Sequence, residues 1–238
     1  MTLRRREFIT LFGGATAAWP LVARAQQGTV PAVGFLSNLV RNERPNVIEA
    51  FRRGLREAGY IEGRNITIDY RFSENQPDRL PALAEDLVSR RVAVIAATGG
   101  GRAVLAAKAA TSTIPVVFTY GGDPLREGFV SSLNRPGGNM TGVTFYATLG
   151  AKMLGLMHEV LPSAAVVAVF AEPREPGSDQ LVMDTQAAAR TLGLRVTVIE
   201  AGTPSDIDRA FMTLRQRADA IVVGGSPFFT GRRQQIVC

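Results

Sequence analysis

The sequence predicts an α/β fold of two lobes, each a parallel sheet flanked by helices, with the second lobe incomplete. Three observations predict it. From Pro31 onward, short apolar runs alternate with amphipathic stretches of helical period, and repeated β-α-β units lead to parallel sheets with helices on both faces. The rhythm pauses once, at the turn-rich Asn134-Arg135-Pro136-Gly137-Gly138-Asn139, and then resumes. The composition, 46% hydrophobic and 20% charged over 238 residues, is that of a globular chain with enough apolar content for one or two cores.

The elements follow in order. Ala32–Leu36 reads as a strand, and Pro45–Ala58 as a helix with Val47, Ile48, Phe51 and Leu55 on one face and Gly59 as its stop. Ile66–Phe72 is a second strand. Asp78–Ser89 is a helix whose Leu80, Leu83, Ala84, Leu87 and Val88 recur at i, i+3, i+4, i+7 and i+8. Val92–Ala97 is apolar throughout, as a strand buried on both faces must be. A short helix over Arg102–Ala110 and a strand over Val116–Tyr120 complete the first series. After the turn-rich pause come an extended segment over Thr141–Phe145, helix Leu149–Leu161, strand Val166–Phe170, helix Asp179–Leu192, strand Arg195–Glu200, helix Ser205–Arg217 and strand Ala220–Val223. The expected boundaries are residues 26–143 for the first lobe and 144–238 for the second.

Residues 1–25 read as an export signal. Arg4-Arg5-Arg6-Glu7-Phe8-Ile9 is a charged start with paired arginines, the run to Val22 is apolar and rich in small residues, and Ala23-Arg24-Ala25 fits a cleavage site. The paired arginines and the modest hydrophobicity point to the twin-arginine route. A membrane anchor is the alternative reading, but the run is short and rich in Gly and Ala. No Cys follows the cleavage site, so a lipoprotein anchor is not expected, and the expected location is the periplasm without stable membrane insertion.

Half of the formal charge of +6 lies in those first residues. The remaining arginines are interspersed with acids, as in Arg52-Arg53-Gly54-Leu55-Arg56-Glu57, which describes a solvated mixed face and not a nucleic-acid surface. The single Cys, Cys238, permits no intramolecular disulfide and no cysteine metal site.

Ligands of open parallel sheets bind beyond the carboxyl ends of the strands. The corresponding loops are Ser37-Asn38, Thr98-Gly99-Gly100-Gly101, Tyr120-Gly121-Gly122-Asp123-Pro124, Ala171-Glu172-Pro173 and Gly224-Gly225-Ser226-Pro227. The Thr98-Gly99-Gly100-Gly101 loop enters a helix and bares backbone N–H groups that suit an anion such as a carboxylate. A plain strand-to-helix turn explains its glycines as well. Asp123 has two readings, a ligand acceptor in a cleft or the cap of a helix starting near Leu125. Tyr120 is either a ligand contact or a strand-end aromatic over the core. Glu172 reads more naturally as a solvated side chain than as a ligand group. The only histidine is His158, and there is no Gly-x-Ser-x-Gly elbow, Walker loop or metal-ligand spacing. The expectation is no catalysis, no metal and no cofactor.

Val33-Gly34-Phe35-Leu36-Ser37, Phe51-Arg52-Arg53-Gly54-Leu55-Arg56-Glu57-Ala58-Gly59-Tyr60, Gly63-Arg64-Asn65-Ile66 and Asp123-Pro124 together are distinctive. The most specific segment is Leu133-Asn134-Arg135-Pro136-Gly137-Gly138-Asn139-Met140-Thr141-Gly142-Val143. With these motifs the chain resembles the ABC transporter substrate-binding family of the type I periplasmic binding fold, some members of which bind tryptophan or other aromatic amino acids. The resemblance covers nearly all of residues 31–236. It implies a clamshell that closes on a small solute and docks on a membrane permease, closure being driven by contacts that the open state cannot make. The family's ligand loops match Ser37, Thr98, Gly99, Gly100 and the Tyr120 to Asp123 loop, and in the second lobe Glu172 and Ser226. Asn38, beside Ser37, completes the expected set.

Members of the family run on by about another half-domain. The chain halts at Gln234-Gln235-Ile236-Val237-Cys238 inside an expected helix. The implied outcome is a truncated second lobe, a hinge crossed once and an exposed sheet edge. The leading expectation is the binding component of an importer. A periplasmic sensory module on the same fold and a non-functional fragment are the alternatives.

Overall fold

The computed structural model describes residues 30–42, 44–144, 149–173, 175–214 and 217–237. The export signal expected over residues 1–25 lies outside the described residues. The compact body runs from Ala32.

The first sheet holds five parallel strands in the order β2-β1-β3-β4-β5: β1 (Ala32–Ser37), β2 (Thr67–Phe72), β3 (Val94–Thr98), β4 (Val116–Tyr120) and β5 (Met140–Thr144). Helices α1 (Pro45–Glu57), α2 (Leu80–Ser89) and α3 (Gly101–Ala110) connect the first four. The strands form where the sequence is β-branched and aromatic, and β1 is buried from Val33 to Ser37 because helices cover both of its faces. Leu80, Ala84 and Leu87 of α2 and Ala103, Val104 and Ala107 of α3 pack with Leu36, Ile95, Val116 and Phe118 into one core. A 3-10 turn at Pro77–Arg79 precedes α2, so the regular helix begins at Leu80, the first residue of its apolar period, two residues after the expected Asp78.

The second sheet has three parallel strands in the order β7-β6-β8: β6 (Val166–Ala171), β7 (Arg195–Glu200) and β8 (Ala220–Val223). Helices α4 (Gly150–Val160), α5 (Ser178–Leu192) and α6 (Pro204–Leu214) flank it, and the short α7 (Pro227–Gly231) and α8 (Arg233–Val237) follow β8. Val167 and Val169 face one apolar cluster with Leu154 and Ala189, while Ala168 and Phe170 face another with Ile207, Ala210 and Phe229. The alternation along β6 thus serves a helix layer on each side.

The turn-rich segment before β5 has a local structural purpose. Asn139 Nδ2 donates to the carbonyls of Ile114 at 2.8 Å and Thr111 at 3.2 Å, pinning the entry of β5 to the loop between α3 and β4. Gly142 then lies flush against β4, where an added Cβ would meet the Phe118 carbonyl oxygen at 2.2 Å.

Near Leu125 the capping reading of Asp123 holds in its hydrogen bonds but not in a regular helix. Asp123 Oδ1 accepts from the backbone N–H groups of Leu125 at 2.9 Å and Arg126 at 3.4 Å, but residues 124–128 form turns. Gly128, at φ 65°, redirects the chain so that Phe129 enters the core against Phe118 and Tyr120. Burial of that ring offsets the helical bonds forgone.

Candidate functional site

Strand order dictates where a cleft forms. In the first sheet the order reverses between β1 and β3, whose last residues Ser37 and Thr98 are register partners. In the second it reverses at β6, whose neighbours β7 and β8 run outward on either side. Connections that leave such points in opposite directions open a crevice at the carboxyl ends of the strands. The two crevices face one another and form a cleft of about 820 Å³ lined from both lobes.

One wall is apolar. Phe35 of β1 and Phe51 of α1 lie with ring centroids 5.0 Å apart, and Met153, Leu181 and Phe229 come from the second lobe. The charged lining is mainly acidic among the described residues: Asp123, Glu127, Glu172, Glu175 and Asp184 against Arg44 and Arg126.

The lobes meet at the N-terminus of α3. Gly99 and Gly100 have φ of 75° and 111°, a left-handed pair that only glycine adopts without strain, and they turn the N–H of Gly101 outward. Glu175 Oε1, from the loop after β6, accepts that N–H at 2.8 Å. Arg102 binds the same loop through its guanidinium: Nη2 lies 3.3 Å from Glu172 Oε1, Nε lies 3.5 Å from Glu175 Oε2, and Nη2 donates to the Pro173 carbonyl. Arg102 and both glutamates are nearly buried, with side chains 14%, 7% and 5% exposed. Burial raises the carboxyl of Glu172 despite the Ser226 hydroxyl and Arg102. Burial likewise pushes Glu175 to about 7, opposed by the Gly101 N–H and Arg102 and reinforced by Glu172 and Glu127.

Backbone contact closes the seam. A Cβ on Gly101 would lie 2.7 Å from the Pro176 ring and 2.9 Å from Tyr120 Cε2, and one on Gly100 would lie 2.9 Å from Pro227. Tyr120 is 2% exposed, its hydroxyl lies beside the Glu127 carboxylate without a well-formed hydrogen bond among the described residues, and burial, reinforced by Glu127, raises its pKa.

Of the residues expected from sequence, Thr98, Gly99, Gly100, Tyr120, Asp123, Glu172 and Ser226 lie on the cleft. Glu172, expected in solvent, is buried against Arg102. Ser226 caps α7, its Oγ accepting from Phe229 N at 3.2 Å. Ser37 and Asn38 lie beneath the floor. Ser37 Oγ accepts from Leu39 N at 3.3 Å, and Asn38 Oδ1 accepts from Ser73 Oγ at 2.5 Å, which ties the ends of β1 and β2 together. Sequence reasoning passed over Glu175 and Arg102. Following the loop after β6 as far as Gly177 would have found Glu175, whereas Arg102 carries no signal beyond its place one residue into α3.

Residues 37–229 match the family model described as ABC transporter substrate binding protein. The chain belongs to this family. Among ABC transporter substrate binding proteins, it is 30% identical over 191 residues to a tyrosine-binding protein of Clostridioides difficile (strain R20291), covering 79% of this chain and 54% of that one. It superposes on the ABC domain in complex with L-Trp from Streptococcus pneumonia with a TM-score of 0.78 at 21% identity, covering 88% of this chain and 70% of the other. A conserved domain protein from Vibrio cholerae gives 0.74 at 24% identity, covering 81% and 64%. The fold is the type I periplasmic binding fold these proteins share. The chain spans about half the length of the Clostridioides relative.

Proposed function

We propose that the chain captures a small solute between its lobes and presents it, chemically unchanged, to the membrane permease of an ABC importer. The observation that carries this reading is the cleft of about 820 Å³ lined from both lobes at the strand ends, the size and placement of a small-molecule site. The candidate contacts are Thr98, Gly99, Gly100, Tyr120, Asp123, Glu172 and Ser226, with Ser37 and Asn38 holding the loop under Gly99. The wall of Phe35 and Phe51 suits an aromatic side chain. Relatives named for tyrosine, for L-Trp and for 3,4-dihydroxy benzoic acid make an amino acid or small aromatic compound the first class to test. The reading places the protein in the periplasm, exported by the twin-arginine signal of residues 1–25 and cleaved near Ala25, with residues 26–143 and 144–238 as the two lobes. Among the described residues no helix is long and apolar enough to cross a membrane.

A thermal-shift series on the full chain with L-tyrosine, L-tryptophan, L-leucine and 3,4-dihydroxybenzoate tests it. Binding to the native state raises the melting temperature with the logarithm of ligand excess. A dose-dependent rise for one solute is expected, and a flat response across the panel overturns the reading.

A further inference from the structure

The N-terminus of α3 is the anion seat of the cleft, yet a carboxylate of the chain already sits in it. We propose that Glu175 sets the charge selectivity of the cleft: its side chain fills the seat at Gly101, so the cleft refuses a solute carboxylate there. The proposal rests on the solute-binding reading for its purpose but not for its test.

Four observations converge on it. Glu175 Oε1 accepts the Gly101 N–H at 2.8 Å, across 74 positions of sequence and from the opposite lobe. The carboxylate sits tight against the loop, since a Cβ on Gly100 would lie 3.0 Å from Glu175 Oε1. Arg102, the guanidinium at this seat, is engaged by Glu172 and Glu175 together. Finally, the Tyr120 hydroxyl is buried beside the Glu127 carboxylate without a well-formed hydrogen bond among the described residues, while its ring packs against Gly101. It stands beside the seat as a polar group for a ligand.

A free carboxylate entering this place would need to displace Glu175 and would face Glu172 and Glu127 as well. Like charges in a dry site repel strongly. An amino acid in the cleft therefore lies with its carboxylate away from α3.

The charge state of Glu175 is set by every element around it: Gly101 N–H and Arg102 of α3, Glu172 on its own loop, and Glu127 of the loop after β4. Lowering the pH neutralises the carboxyl and loosens its hold on the seat, so the same prediction can be read without a mutation.

The experiment follows the Gly101 amide by NMR while acetate, the smallest carboxylate, is titrated into the full chain. At about pH 8 the wild-type resonance is expected to ignore acetate, and in Glu175→Ala it is expected to shift saturably, with affinity raised about tenfold or more. At about pH 5.5, where Glu175 is largely protonated and acetate is not, the wild-type resonance is expected to respond too. Glu175→Gln, which drops the charge and leaves a weaker, neutral acceptor that a carboxylate can displace, is expected to respond at both pH values, and its silence at both overturns the proposal. Wild-type and Glu175→Ala responses of equal size at pH 8 overturn the proposal, as does silence of the wild type at pH 5.5. If no solute raises the melting temperature, the importer reading falls while this readout still decides what occupies the seat.

Discussion

Glu175 and Gly101 are joined by a hydrogen bond of 2.8 Å that crosses from one sheet to the other. With Arg102 bridging Glu172 and Glu175, it makes the junction of the lobes polar, buried and dependent on a glycine.

That dependence can be measured. Gly101 is not in a left-handed conformation, so alanine would suit the helix itself. The obstacle is space, since the new methyl would meet Pro176 at 2.7 Å. Gly101→Ala is expected to part the seam and cost about 1–3 kcal/mol. A lowered urea midpoint, with a larger radius of gyration by X-ray scattering, is the expected pair of results. An unchanged radius would place the strain elsewhere.

The same junction makes stability depend on pH. Glu175 ionises at about 7 in the folded chain against 4.5 ordinarily. Between those values the folded state holds a proton that the unfolded state has lost, so stability is full below about pH 4.5, declines through the interval and is lost above about 7, a change of about 3 kcal/mol. Glu172 acts in the same direction. Asp86, Asp206 and Asp219 are shifted downward and exert their effect only in more acid solution. Urea melts at about pH 5 and pH 8 should show the acid sample more stable, and Glu175→Gln should show a smaller difference, the remainder belonging to Glu172. Greater stability at pH 8 would count against the buried carboxyl.

Tyr120 separates binding from folding. Its hydroxyl is buried beside the Glu127 carboxylate and is not within hydrogen-bonding geometry of any described group, so Tyr120→Phe removes a desolvated group at the cost of at most a weak contact with Glu127. The melting temperature should hold or rise, by up to about 1 kcal/mol in stability. Affinity for the solute found by thermal shift should fall about tenfold, the worth of one hydrogen bond. A loss of stability without loss of affinity would make Tyr120 a core residue alone.

Gly142→Ala addresses the segment most distinctive in sequence. The added methyl would meet the Phe118 carbonyl at 2.2 Å and the ring at 2.6 Å. Backbone cannot yield as a flexible side chain does, so a cost of about 3 kcal/mol or more is expected. Loss of near-ultraviolet circular dichroism from the Phe118, Tyr120 and Phe129 cluster would report it. A melt within error of wild type would show that β5 shifts freely along β4.

The strands and helices were legible because their apolar periods are local. The boundaries of β4, β7 and β8 coincide with the apolar runs read from sequence. The helix that one reading of Asp123 placed near Leu125 does not form, because burial of Phe129 outweighs a local capping signal there. Gly99 and Gly100 marked a turn that bares a backbone N–H to an acceptor, since their backbone freedom is written in the residue type.

By itself the sequence determined that β-α-β units build parallel sheets, that strand-end loops line the cleft, and that Thr98 to Gly101 present an N–H group to an acceptor. Only the tertiary structure decided which acceptor arrives. Glu172 and Glu175 lie in a loop whose composition reads as solvent-exposed, and burial against Arg102 and Gly101 depends on contacts made about seventy positions away. Periodicity reports the neighbours of a residue along its own helix or strand, whereas the desolvation that changes a carboxyl group's character comes from the opposing lobe.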